Sequence, residues 1–178
     1  MIANLLTSVR LVLAVPVAWA CAEPEAFPSF LLLLLLVVAI LTDYFDGKVA
    51  RYMKTASASG MLFDHGTDFI LVTSALFAAS HAGLVHPWLP ILIVFAFSQY
   101  VLDSYWLLRQ KKLRMSMLGR WNGILYFVPL VFIGLLQLEF MSNWSAALRS
   151  TIMLLSIILL ISTLASIVDR AIAPLRVR

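Results

Sequence analysis

Asp43-Tyr44-Phe45-Asp46-Gly47-Lys48-Val49-Ala50-Arg51 is followed, eight residues on, by Gly60-Met61-Leu62-Phe63-Asp64-His65-Gly66-Thr67-Asp68. They place four carboxylates between an apolar run at 30–40 and another at 69–79. A carboxylate at the centre of a bilayer costs about 2.5–3.5 kcal/mol. Four would cost on the order of 10 kcal/mol, comparable to the stability of a whole domain, about 5–15 kcal/mol. Something cationic must compensate them, and a divalent metal is the natural candidate.

The surrounding chain is apolar throughout. Of 178 residues, 62% are hydrophobic and 12% charged, against about 45–50% and about 25% in soluble domains. That composition predicts an all-α integral membrane protein with one domain over residues 1–178. The lone Cys21 excludes an intramolecular disulfide and a cysteine-based zinc site. A net charge of +4 does not point to nucleic acid. Arg10, the apolar run 11–20 and Ala20-Cys21-Ala22 also have the look of a signal peptide with its cleavage site. The segment is expected to be retained, because Asn4, Thr7 and Arg10 find a use below.

Six apolar segments can be read, at about 5–22, 28–52, 58–82, 88–109, 120–139 and 146–171. Each is long enough to cross a hydrocarbon core of about 30 Å as a helix. Glu23-Pro24-Glu25 with Pro28, Gly83 with Pro87, and Ser142-Asn143 mark breaks between them. Lys48, Arg51 and Lys54 follow span two, five basic residues from Arg109 to Arg120 join spans four and five, and Arg170, Arg176 and Arg178 end the chain. With Arg10 assigned to the same side, 12 of 13 basic residues share one face. The positive-inside rule makes that face cytoplasmic, together with both termini and the aspartates. Trp19, Trp88, Trp106, Trp121 and Trp144 lie near span ends and read as an interfacial belt.

Asp43, Asp46, Gly47 and Ala50 fall at i, i+3, i+4 and i+7, on one helical face. Gly60, Asp64 and Asp68 recur every four residues and form a second stripe. The short linker 52–59 makes the two helices antiparallel neighbours, so two carboxylates from each can converge. Oxygen-only ligation suits magnesium, manganese or calcium rather than zinc. In the competing reading the small residues only pack, and the aspartates pair with Lys48, Arg51 or Lys54. Lys48 and Lys54 can snorkel to water, which leaves too few cations at that depth.

The two stretches match the signature of the CDP-alcohol phosphotransferase family, D-x2-D-G-x2-A-R-x8-G-x3-D-x3-D, at all eight fixed positions. Asn4-Leu5-Leu6-Thr7-Ser8-Val9-Arg10 also resembles that family's N-x2-T-x2-R pattern. The resemblance extends over essentially the whole chain. It implies transfer of a substituted phosphoryl group, phosphatidyl by the small size of the chain, from a CDP-linked donor such as CDP-diacylglycerol to an alcohol, with release of CMP. It further implies a two-metal site of Mg2+ or Mn2+ on Asp43, Asp46, Asp64 and Asp68, with Asp68 also the general base. Asn4, Thr7, Asp46, Gly47, Ala50, Arg51 and Gly60 would hold the CDP donor. A homodimer in the cell (inner) membrane, active on the cytoplasmic side in phospholipid synthesis, is implied as well.

Cues to the acceptor conflict. Leu62 to Asp68 looks like the variant in choline- and ethanolaminephosphotransferases, which act on diacylglycerol. Phosphatidylglycerophosphate synthases tend to place Lys after the last aspartate, where this chain has Phe69. Gly119-Arg120-Trp121-Asn122-Gly123 loosely resembles the Gly-Lys-x-Asn-Thr stretch of glycerophosphate-using members. His65, Arg109, Arg114 and Arg120 are candidate acceptor contacts, against positive-inside signalling for the arginines. Asp103 either reaches the polar cavity or pairs with Arg109. A divalent-cation transporter, the alternative of another class, would spread its carboxylates along a crossing path.

Overall fold

Helix α7, Ser145–Ile172, shows the logic of the whole molecule. Its buried side carries Ile152, Ser156, Leu159, Thr163 and Ser166. Its exposed side carries Leu154, Ile157, Ile158, Ile161, Leu164 and Val168. Hydroxyls face inward and aliphatic side chains outward, the reverse of a helix on a water-soluble domain. The inward hydroxyls are satisfied locally. Ser156 Oγ donates to the Met153 carbonyl at 2.7 Å and Thr163 Oγ1 to that of Leu159 at 2.6 Å. Small and hydroxylated residues between helices, with apolar residues outward, are the pattern of helices packed in lipid.

The computed structural model describes residues 2–52, 58–103 and 117–172. These are almost entirely helical, and no strand occurs among the described residues. Helix α1 is Ile2–Ala22, α2 Leu31–Tyr52, α3 Ala58–His81, α4 Trp88–Leu102, α5 Met117–Leu125 and α6 Phe127–Leu136. Short 3-10 turns at Pro24–Ala26 and Glu139–Trp144 link α1 to α2 and α6 to α7. The helices fall within a few residues of the six apolar segments, the end of the fourth, 104–109, lying outside the described residues, with one difference. The fifth segment is divided at Tyr126. Pro129 has no N–H to offer the Leu125 carbonyl and its ring crowds that position, so the helix is interrupted one turn before it.

Met117–Leu136, taken across this interruption, and Glu139–Ile172 are long and apolar enough to cross a membrane. Thr7–Ala22 and Trp88–Leu102 are shorter apolar helices. Helices α2 and α3 have the length but carry the aspartates. Trp19, Trp88, Trp121 and Trp144 are all well exposed, as an interfacial belt requires. Trp106 lies outside the described residues.

The core forms where α1, α2 and α3 meet, from Ala14, Val17, Leu32, Leu36, Leu71, Ala75 and their neighbours. Helix α1 packs along both α2 and α3. Gly83, at φ 71°, ends α3. Its N–H donates to Ser80 and the Leu84 N–H reaches back to Ala79, satisfying two end carbonyls. A left-handed residue is needed there, and only glycine takes it without strain. At Gly134 the need is space: a Cβ would lie 2.7 Å from Leu33 Cδ2 on α2. Helix α5 joins α7 through polar contacts. Ser162 Oγ donates to Asn122 Oδ1 at 2.6 Å, and the Tyr126 and Thr163 hydroxyls meet at 2.8 Å.

Candidate functional site

Four carboxylates from α2 and α3 surround one guanidinium from α1. Arg10 is fully buried, at 0% exposure. Its Nη1 donates to Asp43 Oδ1 at 2.7 Å and also to Asp68 Oδ1. Its Nη2 donates to Asp46 Oδ2 and to Asp64 Oδ1. Each terminal nitrogen therefore holds one carboxylate from α2 and one from α3. Thr7, one turn before Arg10 on the same face, donates its hydroxyl to Asp46 Oδ2 at 3.1 Å. The i, i+3 spacing in α1 thus matches the i, i+3 spacing of Asp43 and Asp46.

The four acids are not equivalent. Asp46 is 4% exposed and Asp43 50%, with Asp64 and Asp68 at 28% and 27%. Asp43, Asp64 and Asp68 each offer an oxygen within 4.8 Å of the other two. Asp46 stands apart from this trio, turned toward Thr7 in the interior. Within α3, Thr67 Oγ1 donates to the Asp64 carbonyl at 2.8 Å, which fixes a buried side chain between the two acids.

The cation at this depth is the feature that counting by topology missed. Arg10 had a place in the N-terminal pattern and in the charge asymmetry, but no partner. The signal was present: Arg10 directly precedes the apolar run 11–20, and an arginine that deep in a helix needs anions. The expected competitors behave differently. Lys48 is exposed and lies over the Tyr44 ring, 4.6 Å from its centre. Lys54 lies outside the described residues, as does the side chain of Arg51.

Gly47 and Gly60 are half-buried on α2 and α3. Asn4 stands on α1 and Ala50 on α2, with side chains outside the described set. His65, adjacent to Asp64, turns its ring edge toward Tyr100 of α4, 6.3 Å between centres. Phe69 stacks on Phe97 at 4.2 Å and closes the same seam. The Tyr100 ring in turn lies under the guanidinium of Arg170, at 5.2 Å. Arg170 Nη1 stands 4.0 Å from Asp103 Oδ2, which gives Asp103 its partner on α7. Arg109, the partner offered by sequence, lies outside the described residues, as does Arg114. Arg120 is exposed on α5. Its neighbour Asn122 is buried and engaged with Ser162, so that part of the Gly119–Gly123 stretch joins helices.

The chemistry open to such a cluster follows from its charge. With all four carboxylates ionised, one guanidinium leaves the cluster strongly anionic. An all-oxygen donor set of this kind is what magnesium or manganese takes. Asp43, Asp64 and Asp68 are close enough to share an ion, and Asp46 shares the Nη2 of Arg10 with Asp64. The residues present fit the metals implied by the motif.

Comparison with known proteins points the same way. The family model for CDP-alcohol phosphatidyltransferase matches residues 1–168. A CDP-diacylglycerol–glycerol-3-phosphate 3-phosphatidyltransferase of Mycoplasma genitalium is 32% identical over 101 residues, 55% of this chain and 42% of that protein. A protein of the same name from Cereibacter sphaeroides is 27% identical over 137 residues, 74% of this chain and 62% of that protein. The chain thus spans less than two thirds of the length of either relative. No solved structure matches it. With the signature complete, its aspartates gathered at one point and the family model covering nearly the whole sequence, the chain belongs to the CDP-alcohol phosphatidyltransferase family.

Proposed function

We propose that this protein transfers a phosphatidyl group from CDP-diacylglycerol to an alcohol and releases CMP. The observation that carries the reading is the meeting of Asp43, Asp46, Asp64 and Asp68 at one point between α2 and α3. The printed names of the two relatives support the donor, and they make glycerol 3-phosphate the first acceptor to test.

Asp43, Asp64 and Asp68 would hold a divalent metal, and Asp46 would complete a second position. Bound there, such ions neutralise the donor's diphosphate and the charge that grows on departing CMP. Asp68 takes the acceptor's hydroxyl proton on a carboxylate oxygen. Asp43 is the more exposed of the α2 acids, so the substrates approach from its side. Gly47 and Gly60 leave room for the nucleotide on the two facing helices. Asn4, Thr7, Asp46, Ala50 and Arg51 complete the donor site, with the Arg51 charge directed to phosphate. His65 lines the acceptor side, and Arg109, Arg114 and Arg120 attract an acceptor phosphate. The whole chain acts as one domain of six membrane spans in the inner membrane. Its site and both termini are cytoplasmic, and it works as a homodimer.

The acids share one cluster and do not mark a crossing path, which disfavours an ion transporter. The test is product analysis of the purified protein in detergent. CDP-diacylglycerol is supplied with labelled glycerol 3-phosphate, glycerol, serine or inositol, with Mg2+, with Mn2+ or with excess chelator. A labelled phospholipid and stoichiometric CMP should form only with metal. CMP release unchanged by chelator would overturn the metal-dependent reading. Transfer to diacylglycerol from CDP-choline or CDP-ethanolamine in place of these products would overturn the donor assignment.

A further inference from the structure

Every hydrogen bond that the Arg10 guanidinium makes among the described residues goes to an oxygen of a candidate metal ligand. Its two terminal nitrogens hold all four carboxylates, while its Nε is buried without a partner among the described residues. Among the described residues, no other group anchors this guanidinium. The three carboxylates close enough to share an ion each also carry a bond from Arg10. Two cations that require the same oxygens cannot both have all of them.

We propose that Arg10 is an exchangeable internal counter-cation of the metal site, which a divalent ion displaces from Asp43, Asp64 and Asp68 as it binds. This rests on the metal-binding reading above and deepens it. The guanidinium keeps four mutually repelling carboxylates together at membrane depth, where an unpaired acid is costly. The same contacts set a threshold for metal entry. A site that is free of its internal cation a tenth of the time binds metal about tenfold more weakly than the bare site. Once released from these three, Arg10 still stands beside Thr7 and Asp46, with Nη1 available to an anionic substrate group. Arginine suits this role because its charge does not titrate and its fork spans two carboxylates on each side.

The test uses the full chain in detergent with Mn2+ alone and no nucleotide. Bound Mn2+ is counted by electron paramagnetic resonance and the thermal midpoint is followed with and without the ion. Arg10→Gln removes the competing charge and keeps a hydrogen-bonding group. It should bind Mn2+ about tenfold or more tightly than wild type and should be stabilised more by the ion. Arg10→Lys, with one ammonium unable to reach four carboxylates, should fall between the two. In a structure of the wild-type chain with Mn2+ bound, the guanidinium should have left Asp43, Asp64 and Asp68. Mn2+ binding that is unchanged or weaker in both variants would overturn the exchange, as would a bound ion with Arg10 still on all four acids. The wild-type structure decides the matter even where neither variant folds. Absence of Mn2+ binding in every form would instead overturn the metal reading on which this inference rests.

Discussion

Arg10 Nη1 and Asp43 Oδ1 lie 2.7 Å apart, although 33 residues separate them in the sequence. The contact ties α1 to α2, and the remaining bonds of the same guanidinium tie both to α3. The site is therefore a three-helix object. The two-helix motif supplies its acids, and α1 sets their mutual distance. This relationship orders the expectations that follow.

Thr7 is the most specific handle on α1. Its hydroxyl reaches Asp46 Oδ2 at 3.1 Å, and both residues are 4% exposed. Thr7→Val keeps the shape and removes the donor, leaving a buried carboxylate one bond short. A hydrogen bond to a charged group contributes about 1.5–3 kcal/mol. Thermal unfolding in detergent should show a loss of that order, and Thr7→Ser should recover most of it.

Asp68 separates chemistry from donor binding. Asp68→Asn keeps the shape and one oxygen but cannot take a proton as a carboxylate does. General-base contributions are about 10²–10⁴-fold, and a lost ligand would add to that. Single-turnover transfer should fall by at least this factor while CDP-donor affinity changes less. Arg51→Ala should do the reverse, because a charge-assisted phosphate contact contributes about 1.5–3 kcal/mol. Near-normal transfer by Asp68→Asn would remove Asp68 from the base role.

Gly134 tests the packing of α6 on α2. The Cβ of Gly134→Ala would press on the Leu33 side chain at 2.7 Å. Overpacking costs typically about 1–3 kcal/mol. The thermal midpoint should drop, and Leu33→Ala in the same chain should restore part of it. A Gly134→Ala protein as stable as wild type would mean that Leu33 turns away freely.

Orientation can be read with reporters. Tags at either terminus, and reporters at Lys111, should be cytoplasmic, and those near Glu25, Val85 or Asn143 should face the other side. A Lys111 reporter on the non-cytoplasmic side would contradict the six-span topology.

Much of this was legible from spacing. Apolar runs gave the helices because length and composition are local properties. The i, i+3 and i, i+4 intervals put Asp43 with Asp46 and Asp64 with Asp68, because helical periodicity is also local. What the sequence hid was long-range partnership. Arg10 meets acids 33 to 58 residues away, and Asp103 meets Arg170 on α7 rather than a nearby arginine. Such choices depend on which helices become neighbours. The interruption at Tyr126 was half-visible, since Pro129 marks it, but an apolar run shows no gap where a helix only bends. Asn122 was read for its motif and is used for packing, because its place on the inner face of α5 comes from the contact with α7.

The pairing of Arg10 with the aspartates also bears on how the protein is made. A chain synthesised from its N-terminus delivers α1 to the membrane before α2 and α3. The arginine arrives first, and the acids follow as a hairpin that meets a cation already in place. Charge that would resist insertion on either side becomes a reason for the helices to assemble. An Arg10 variant should therefore fail first as a biogenesis defect, with α2 and α3 inserted poorly and cleared early. Yield in the membrane fraction is the quantity that would report it.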